Sequence, residues 1–266
     1  MEQNASFTGR IPEIYDRDLG PMLFAPYAAD MAERAKALGP KSVLEIAAGT
    51  GIVTQALARA LPDATIEATD LNQAMVDFAS SRRGDSAIRW STADAQSLPF
   101  DDRTFDLVVC QFGVMFFPDR AKAFREARRV LRDRGTYLFS VWEGLQTNDI
   151  PRTVSDAASS VFPDDPPLFL RRTPYGHGDP VALERDLRAA GFSTVASERV
   201  EKRSRGPSAR AAASGFVEGT PLRFDIEARD ARRLQDVVET ATRALSHRYG
   251  DGPVDGLMAA FVFIAS

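Results

Sequence analysis

The sequence predicts an α/β protein built on a mostly parallel β-sheet with helices on both faces. From residue 42 to 142, short apolar runs alternate with segments of helical period. Strands that alternate with helices of this length form βαβ units, whose strands pair in parallel. Apolar residues make up 44% and charged residues 26% of the 266 residues, so the chain can bury a sizeable core.

Each element of this stretch is predicted from its apolar pattern and from the residues that end it. Pro62 ends the first predicted helix, and Phe124, Ala127 and Val130 form one apolar stripe along the last. We predict strands at 42–47, 65–69, 88–92, 105–111 and 135–142, and helices at 52–61, 72–81 and 120–131.

The regular alternation of strands and helices stops after residue 142. Residues 143–178 hold five prolines without a sustained period, and 206–224 are also irregular, so both stretches are predicted to be insertions. Between and after them we predict a helix at 180–190, a strand at 193–202, a helix at 229–248 with apolar residues at helical spacing, and a strand at 257–265.

Charge and cysteine content exclude several classes of function. Lys and Arg number 33 against 37 Asp and Glu, a net charge of −4, which disfavours nucleic acid as the main partner. Cys110 is the only cysteine, so no intramolecular disulfide can form, and a reducing compartment fits. No apolar run approaches the roughly 20 residues of a spanning helix. We therefore expect a soluble, cytoplasmic protein without a membrane span.

A glycine-containing turn follows the first predicted strand. Gly49 and Gly51 would let the backbone approach a ligand closely, and the following helix would point free N–H groups at an anion. A plain strand-to-helix turn explains the same residues. The dinucleotide pattern G-x-G-x-x-G is incomplete, because Thr54 stands where its third glycine would be.

Two acidic residues follow the next two predicted strands. Asp70 lies 19 residues past Gly51, where a carboxylate can accept hydrogen bonds from a ribose diol; alternatively it caps the following helix. Asp94 can accept from the exocyclic amino group of adenine while the N–H of Ala95 donates to a ring nitrogen; alternatively it caps the turn towards Leu98.

Together these motifs resemble the class I S-adenosylmethionine-dependent methyltransferases, and among them the subgroup similar to ubiquinone/menaquinone C-methyltransferases, called methyltransferase type 11. The resemblance covers about residues 40 to 142, with a weaker similarity to 200. It is carried, in order, by VLEIAAGTG at 43–51, Asp70, TADA at 92–95, LPF at 98–100, FDLVV at 105–109, and Val130-Leu131 before Gly135.

The resemblance implies a Rossmann-like, seven-stranded, mostly parallel sheet with 257–265 as its antiparallel strand. It also implies one methyltransferase domain over 1–266, with N-terminal lid helices at 1–40, a cofactor-binding core at 41–142, and a partial acceptor cap from 143–178 and 206–250.

The implied cofactor is S-adenosylmethionine, with S-adenosylhomocysteine as product. Glu45, Ala47 and Gly49 would line its methionine end, Gly51 would shape the turn, Asp70 would hold the ribose, Leu71 and Met75 would pack on adenine, Asp94 and Ala95 would bond its edge, and Gln111 would lie beside the amino-acid moiety. Ala47 stands where the family usually has its first glycine. Tyr15 resembles the lid aromatic that approaches the cofactor carboxylate or the acceptor, and it could equally be a packing residue.

Methyl transfer from a sulfonium needs mainly alignment and exclusion of water, so a catalytic base is optional and no metal is expected. Tyr15 and His177 are candidates for such a base, although His177 also fits a plain surface loop. Phe116 and Trp142 are candidates for an apolar acceptor pocket. We expect a small-molecule acceptor with an apolar or aromatic portion, and either a monomer or a homodimer. A nicotinamide-dependent oxidoreductase and a non-catalytic regulator that binds an S-adenosyl ligand are the alternatives.

Overall fold

The computed structural model describes residues 9–82 and 88–266. Over these residues the chain divides into two compact units. Of the described residues, the sheet unit takes those within Tyr27–Trp142, Gly178–Val200 and Ala260–Ser266, and the helical unit takes residues 9–26, Glu143–His177 and Glu201–Ala259. The predicted division into lid, core and cap stays a prediction.

The sheet has seven strands in the order β3-β2-β1-β4-β5-β7-β6. The strands β1 to β5 pair in parallel, and β7 pairs antiparallel with β5, which confirms the predicted fold class. In chain order the strands are β1 Ser42–Ile46, β2 Thr65–Asp70, β3 Ile88–Thr92, β4 Phe105–Gln111, β5 Leu131–Trp142, β6 Val195–Gly206 and β7 Val254–Ala265.

Helices connect the strands and make up most of the helical unit. Between α1 and α2 the chain forms a π-helix, Tyr15–Phe24. The α-helices are α1 Ile11–Ile14, α2 Ala25–Leu38, α3 Ile52–Ala60, α4 Gln73–Arg82, α5 Arg120–Val130, α6 Asp149–Val161, α7 Phe169–Arg172, α8 Pro180–Ala189, α9 Ala209–Glu218, α10 Leu222–Asp230 and α11 Leu234–Tyr249. No helix within 9–82 and 88–266 combines the length and apolarity that a membrane crossing requires.

The core of the sheet unit is an aromatic cluster on β5 and its neighbours. The ring of Phe139 stacks on Phe263 of β7 at 4.7 Å and on Tyr137 at 4.8 Å, and Phe124 of α5 lies 5.6 Å from it. All four side chains are buried. Aromatic burial of this size anchors α5 against the sheet, and this helix matters for the site described below.

The sheet topology positions a ligand edge between β1 and β4. These central strands pair with each other, and the chain order reverses there, because β2 and β3 extend on one side and β5 on the other. Loops that leave the carboxyl ends of β1 and β4 diverge at such a point and leave a crevice.

The structure corrects the predictions for the two stretches interpreted as irregular insertions. Helix α6 lies in 143–178, with Pro151 in its first turn, where proline is tolerated. Helix α9 lies in 206–224, and Ser208 caps it by accepting from the N–H of Ala211 at 3.1 Å. Helix α6 buries Ile150, Val154 and Val161 at helical spacing, and the prolines around them concealed this pattern. Helix α9 buries mainly alanine, which gives a weak apolar signal despite its high helix propensity.

Two boundaries also differ. The predicted helix 229–248 begins at Leu234, because the Asp230 carboxylate accepts from the N–H of Arg232 and closes a separate 3₁₀ turn. Strand β5 begins at Leu131, directly after α5. Leu131 pairs with Phe105 before the register shifts, so that Thr136 pairs with Leu107. The predicted start at 135 corresponds to the strand beyond this irregularity.

Candidate active site

The turn after β1 reverses the chain through left-handed backbone. Ala47, Gly49 and Gly51 have φ of 56°, 57° and 79°. The N–H of Ala48 donates to the carbonyl of Thr69 at 2.9 Å and the N–H of Gly51 to that of Ala48 at 2.9 Å, so the turn is fixed to β2 and to itself. A left-handed alanine is uncommon and costs roughly 1 to 2 kcal/mol.

The two glycines of this turn have different surroundings. A Cβ on Gly51 would lie 2.6 Å from the indole of Trp90, so close packing requires glycine there. A Cβ on Gly49 would have no atom within 4 Å among the described residues. Gly49 therefore faces open space at the ligand edge, and the first turn of α3 beside it receives no side-chain cap. A helix start of this kind binds anions.

Asp70, at the end of β2, joins the turn to the next helix. Its Oδ2 accepts from the N–H of Gly49 at 2.8 Å, and its Oδ1 accepts from the N–H of Asn72 at 2.8 Å. The side chain is 7% exposed. Burial raises the pKa of this carboxyl, and the N–H donors oppose that shift. The capping alternative is thus observed. Oδ1 also accepts from the side-chain amide of Asn72 at 3.3 Å, so Oδ2 is the oxygen that keeps capacity for a ribose hydroxyl.

Asp94 closes the turn after β3. Its Oδ1 accepts from the backbone N–H of Gln96 at 2.8 Å, and its main-chain carbonyl accepts from Ser97 at 2.9 Å. The carboxyl group is half-buried and Ala95 is buried. Here too the capping alternative is observed, which leaves the adenine role of Asp94 a prediction.

The two apolar residues expected to pack on adenine differ sharply in burial. Leu71, directly after Asp70, is 60% exposed, whereas Met75 is buried in the first turn of α4. Leu71 presents free apolar surface, and Met75 contributes chiefly to the interior. A contact of Met75 with a ligand stays a prediction.

Glu45 and Gln111 come from the two central strands. Glu45 is 1% exposed and lies in register between Ala68 of β2 and Val109 of β4. Gln111 ends β4, pairs in register with Ser140, and is half-buried. These polar side chains thus lie at or near the carboxyl ends of the two strands that flank the crevice.

The thiol of Cys110, beside Gln111 in sequence, is not suited to nucleophilic chemistry. Complete burial, with a smaller contribution from the negative charge of Glu45, raises the pKa of this thiol to about 12. A thiol of that pKa is protonated at neutral pH and serves as an apolar packing group.

An aromatic group that the sequence did not reveal lies beyond β4. The ring of Phe112 (φ 54°) stacks on Trp142 at 3.7 Å with 2° between the planes, and Tyr27 meets both rings edge-on at 5.2 and 5.3 Å. The Tyr27 hydroxyl donates to the carbonyl of Val200 at 2.9 Å. Phe112 shows a sequence signal, an aromatic directly after a central strand, whereas Tyr27 lies in an Ala-rich helix with none.

These contacts bear on the two candidate acceptor residues. Trp142 is 3% exposed, so its ring is chiefly part of this buried group. Phe116, at the end of the 3₁₀ turn Val114–Phe116, is half-buried and has surface available. Acceptor binding by either residue stays a prediction.

The two candidate bases belong to the helical unit. Tyr15 begins the π-helix, is half-buried, and stacks on Phe24 at 4.7 Å. His177 is exposed at the end of the first insertion. The packing and surface-loop alternatives describe the observed surroundings, and a catalytic role for either side chain stays a prediction. The described residues contain no group of three or more His, Cys, Asp or Glu side chains that could hold a metal ion.

The residues present fit an adenosyl amino acid. The open face of Gly49 admits a ligand, the uncapped start of α3 suits a carboxylate, and the buried Asp70 suits a diol. With the strand order described above, this arrangement defines the class as the Rossmann-like methyltransferase fold.

Comparison with known proteins agrees. Residues 44–139 match the family described as Methyltransferase domain, so this segment is a methyltransferase domain of the family that uses S-adenosylmethionine. The predicted family resemblance and cofactor class are therefore confirmed.

Similar curated proteins extend the match. The chain is 36% identical over 129 residues to a demethylmenaquinone methyltransferase of Thermotoga maritima, covering 47% of this chain and 56% of that protein. It is 30% identical over 170 residues to the ubiquinone/menaquinone biosynthesis C-methyltransferase UbiE of Idiomarina loihiensis, covering 58% and 66%. The chain thus spans between about half and about two thirds of the length of these two relatives.

A solved structure shows the same fold. Phosphoethanolamine N-methyltransferase 2 of Haemonchus contortus, in complex with S-adenosyl-L-methionine, superposes with a TM-score of 0.58 at 16% identity. The match covers 96% of this chain and 56% of that one.

Proposed function

We propose that this protein transfers a methyl group from S-adenosylmethionine to a small-molecule acceptor with an apolar or aromatic portion, in the cytoplasm. The observation that carries the proposal is the buried Asp70 carboxylate, which bonds Gly49 and Asn72 beside the open face of Gly49. The methyltransferase domain at 44–139 supports it.

The cofactor would lie along the carboxyl edge of β1 to β3. Asp70 would accept from the ribose hydroxyls, Asp94 would accept from the adenine amino group, and the N–H of Ala95 would donate to the ring. The start of α3 favours the negative carboxylate of the amino-acid end through its free N–H groups. Glu45 and Gln111 would then lie at the methionine end.

When bound, S-adenosylmethionine supplies an electrophilic methyl group on a positively charged sulfur. The task of the chain is to hold the acceptor in line and to exclude water, because charge disperses in this displacement. The turn after β1 is fixed by its hydrogen bond to Thr69, and the loop after β4 by that of the Phe112 N–H to Ser140 at 3.0 Å. Two rigid loops flanking one crevice are suited to alignment. An acceptor that must lose a proton would recruit Tyr15 or His177 as base.

The relatives suggest the type of acceptor. Two of them are named for demethylmenaquinone and for ubiquinone and menaquinone biosynthesis, so a quinone-type or phenolic ring is our proposed substrate class. Phe116 and Trp142, which follow β4 and end β5, are the proposed aromatic contacts of that ring.

Calorimetric titration with S-adenosylhomocysteine, S-adenosylmethionine and NAD, in parallel, tests the proposal. We expect micromolar binding of the adenosyl compounds and none of NAD. Binding of NAD alone would instead identify a nicotinamide-dependent oxidoreductase.

A turnover assay then follows the release of S-adenosylhomocysteine in the presence of demethylated quinols. Binding without turnover, over a broad panel of acceptors, would identify a non-catalytic S-adenosyl-binding regulator and refute the proposed activity.

A further inference from the structure

The side chain of Gln96 connects the loop after β3 to the loop after β4. Its Oε1 accepts from the backbone N–H of Asp119 at 2.8 Å. Its Nε2 donates to both carboxylate oxygens of Asp94, at 3.1 and 3.3 Å. The amide orientation is determined by these partners, since an N–H needs an acceptor and a carboxylate needs a donor.

Gln96 restrains Asp94 without saturating it. Oδ1 of Asp94 accepts from both the backbone N–H and the side chain of Gln96, whereas from the described residues Oδ2 receives only the longer contact at 3.3 Å. A carboxylate has about four acceptor positions, so Oδ2 keeps the capacity to accept from an exocyclic amino group. The carboxylate is therefore turned so that one oxygen closes the loop and the other is available.

The other end of this connection is a rigid helix. Asp119 caps α5 by accepting from the N–H of Lys122 at 2.9 Å, so the bond from Asp119 to Gln96 attaches the loop to the start of the helix. About two turns further on, Glu126 accepts from the N–H of Leu98 at 2.8 Å. Helix α5 and its cap thus hold this loop at Gln96 and at Leu98.

Arg129 adds a second clamp on the same loop. Its guanidinium donates to the carbonyls of Leu98 at 2.9 Å and Phe100 at 2.7 Å, and it forms an ion pair with Glu126. A loop fixed by backbone bonds at three points has little freedom left, except in the Asp94 side chain, whose orientation depends on Gln96.

We propose that Gln96 is a positioning residue for adenine recognition: it orients the Asp94 carboxylate towards the 6-amino group and couples that orientation to the loop after β4. The inference rests on the proposed binding of an adenosyl ligand at Asp94. It adds that specificity for adenine over other purines depends on a residue that does not itself touch the base.

The test measures a preference between two ligands, because a merely structural role would weaken both alike. S-Inosylhomocysteine carries a carbonyl in place of the 6-amino group and an N–H at the adjacent ring nitrogen, so it opposes both Asp94 and the N–H of Ala95. We expect the intact protein to prefer S-adenosylhomocysteine in calorimetric titration by on the order of 10- to 100-fold, the range that a hydrogen bond to a charged group supports.

The variants separate the two halves of the Gln96 side chain. Gln96→Met removes the bonds to Asp94 and to Asp119. We expect the preference to fall by about 5-fold or more, because losing the orientation of Asp94 loses part of the free energy of its hydrogen bond to adenine. Gln96→Glu keeps an acceptor for Asp119 but replaces the donor to Asp94 by a like charge, and we expect a fall at least as large. Gln235→Met is the matched control: Gln235 is an exposed glutamine of the helical unit that donates to Glu218 at 3.2 Å, and its loss should leave the preference unchanged.

The outcomes distinguish this inference from the proposed function. Asp94→Asn should abolish or reverse the preference. If the intact protein binds both ligands equally and Asp94→Asn changes nothing, adenine recognition at Asp94 is wrong and the role of Gln96 falls with it. If Asp94→Asn abolishes the preference while both Gln96 variants, folded by circular dichroism, keep it, the cofactor site stands and the positioning role is refuted.

Discussion

A single added methyl group at Gly113 should distort the ligand edge between β1 and β4. Gly113 has φ −100° and ψ −36°, a conformation that alanine adopts without strain, so Gly113→Ala changes the packing without straining the backbone. Its Cβ would lie 2.5 Å from the Cβ of Ala47 and 2.7 Å from the Sγ of Cys110. Carbon atoms pack best at about 3.5 to 4.0 Å, so each contact overlaps by roughly 1 Å.

The structure gives the size of the effect. Overpacking a core costs about 1 to 3 kcal/mol, and we expect the upper part of this range, because the methyl group of Ala47 is fixed to the backbone and has no rotamer by which to move away. Ala47→Gly removes the overlap with Ala47 and also relieves the left-handed strain of that residue, which stabilises the fold by about 1 to 2 kcal/mol. The extra chain entropy of glycine in the unfolded state opposes this gain by about 0.5 to 1 kcal/mol. The double variant should therefore recover about 1 to 2 kcal/mol beyond the sum of the single changes.

Urea unfolding of the four proteins, monitored by circular dichroism, measures these free energies of unfolding. Distant sites add within about 0.3 to 0.5 kcal/mol, so a coupling of that size or less would refute the contact between Ala47 and Gly113. Gly113→Ala without loss of stability would refute the packing argument altogether. A Gly144→Ala variant is the control, since a Cβ there meets no atom of residues 9–82 and 88–266 within 4 Å and Gly144 has φ −55°.

Four further predictions concern the ligand edge. Asp70→Ala should weaken binding of S-adenosylhomocysteine by about 2 kcal/mol through loss of charged hydrogen bonds, and unchanged affinity in calorimetry would remove Asp70 from the site. Since the ionised carboxylate is a stronger acceptor for a ribose hydroxyl than the neutral acid, affinity should fall on acidification through the raised pKa of Asp70, and an equally steep fall in Asp70→Ala would contradict this assignment. The folded protein also binds the proton of the Asp70 carboxyl more tightly than the unfolded chain does. The contribution of Asp70 to the free energy of unfolding should therefore decrease as the pH rises from the ordinary aspartate pKa through the raised pKa. Unfolding of the intact protein and of Asp70→Ala at a series of pH values measures this decrease. Arg129→Met should speed amide exchange at Leu98 at least 10-fold, because the clamp on that loop is lost; protection equal to that of the intact protein would refute the clamp.

The sequence predicted the strands of the cofactor half well because their signals are local. The bounds of β3 and β4 agree to the residue, and those of β1 and β2 differ by one residue at their ends. Each is a short apolar run between turn residues. Because a parallel sheet is buried on both faces, nearly every position of such a strand must be apolar, which marks its bounds in the sequence. Helix α6 was missed because the prolines of 143–178 outweighed the helical spacing of Ile150, Val154 and Val161. Helix α9 was missed because most of its buried residues are alanine and glycine, which carry little apolar signal.

The candidate site shows a different limit of sequence reasoning. Asp70 and Asp94 each had a binding and a capping alternative, and the structure shows that capping and binding are compatible, since a carboxylate that accepts backbone N–H bonds keeps free acceptor positions. The role of Gln96 could not be predicted, because it depends on Asp119 lying within hydrogen-bond distance of a residue 23 positions earlier in the chain.

The positions of the strained residues explain how the ligand edge is organised. Ala47 and Phe112, two of the four described non-glycine residues with positive φ, directly follow β1 and β4, the strands that flank the crevice. Each is held in place by a backbone bond to the neighbouring strand, from Ala48 to Thr69 and from Phe112 to Ser140. Strain retained at a site is stable only where the surroundings over-determine it. The loops are therefore ordered before any ligand binds, so little binding energy is spent on ordering them. Substitutions such as Ala47→Gly that relax this strain should then stabilise the fold and weaken cofactor binding. A substitution that only improved packing would raise stability without weakening cofactor binding.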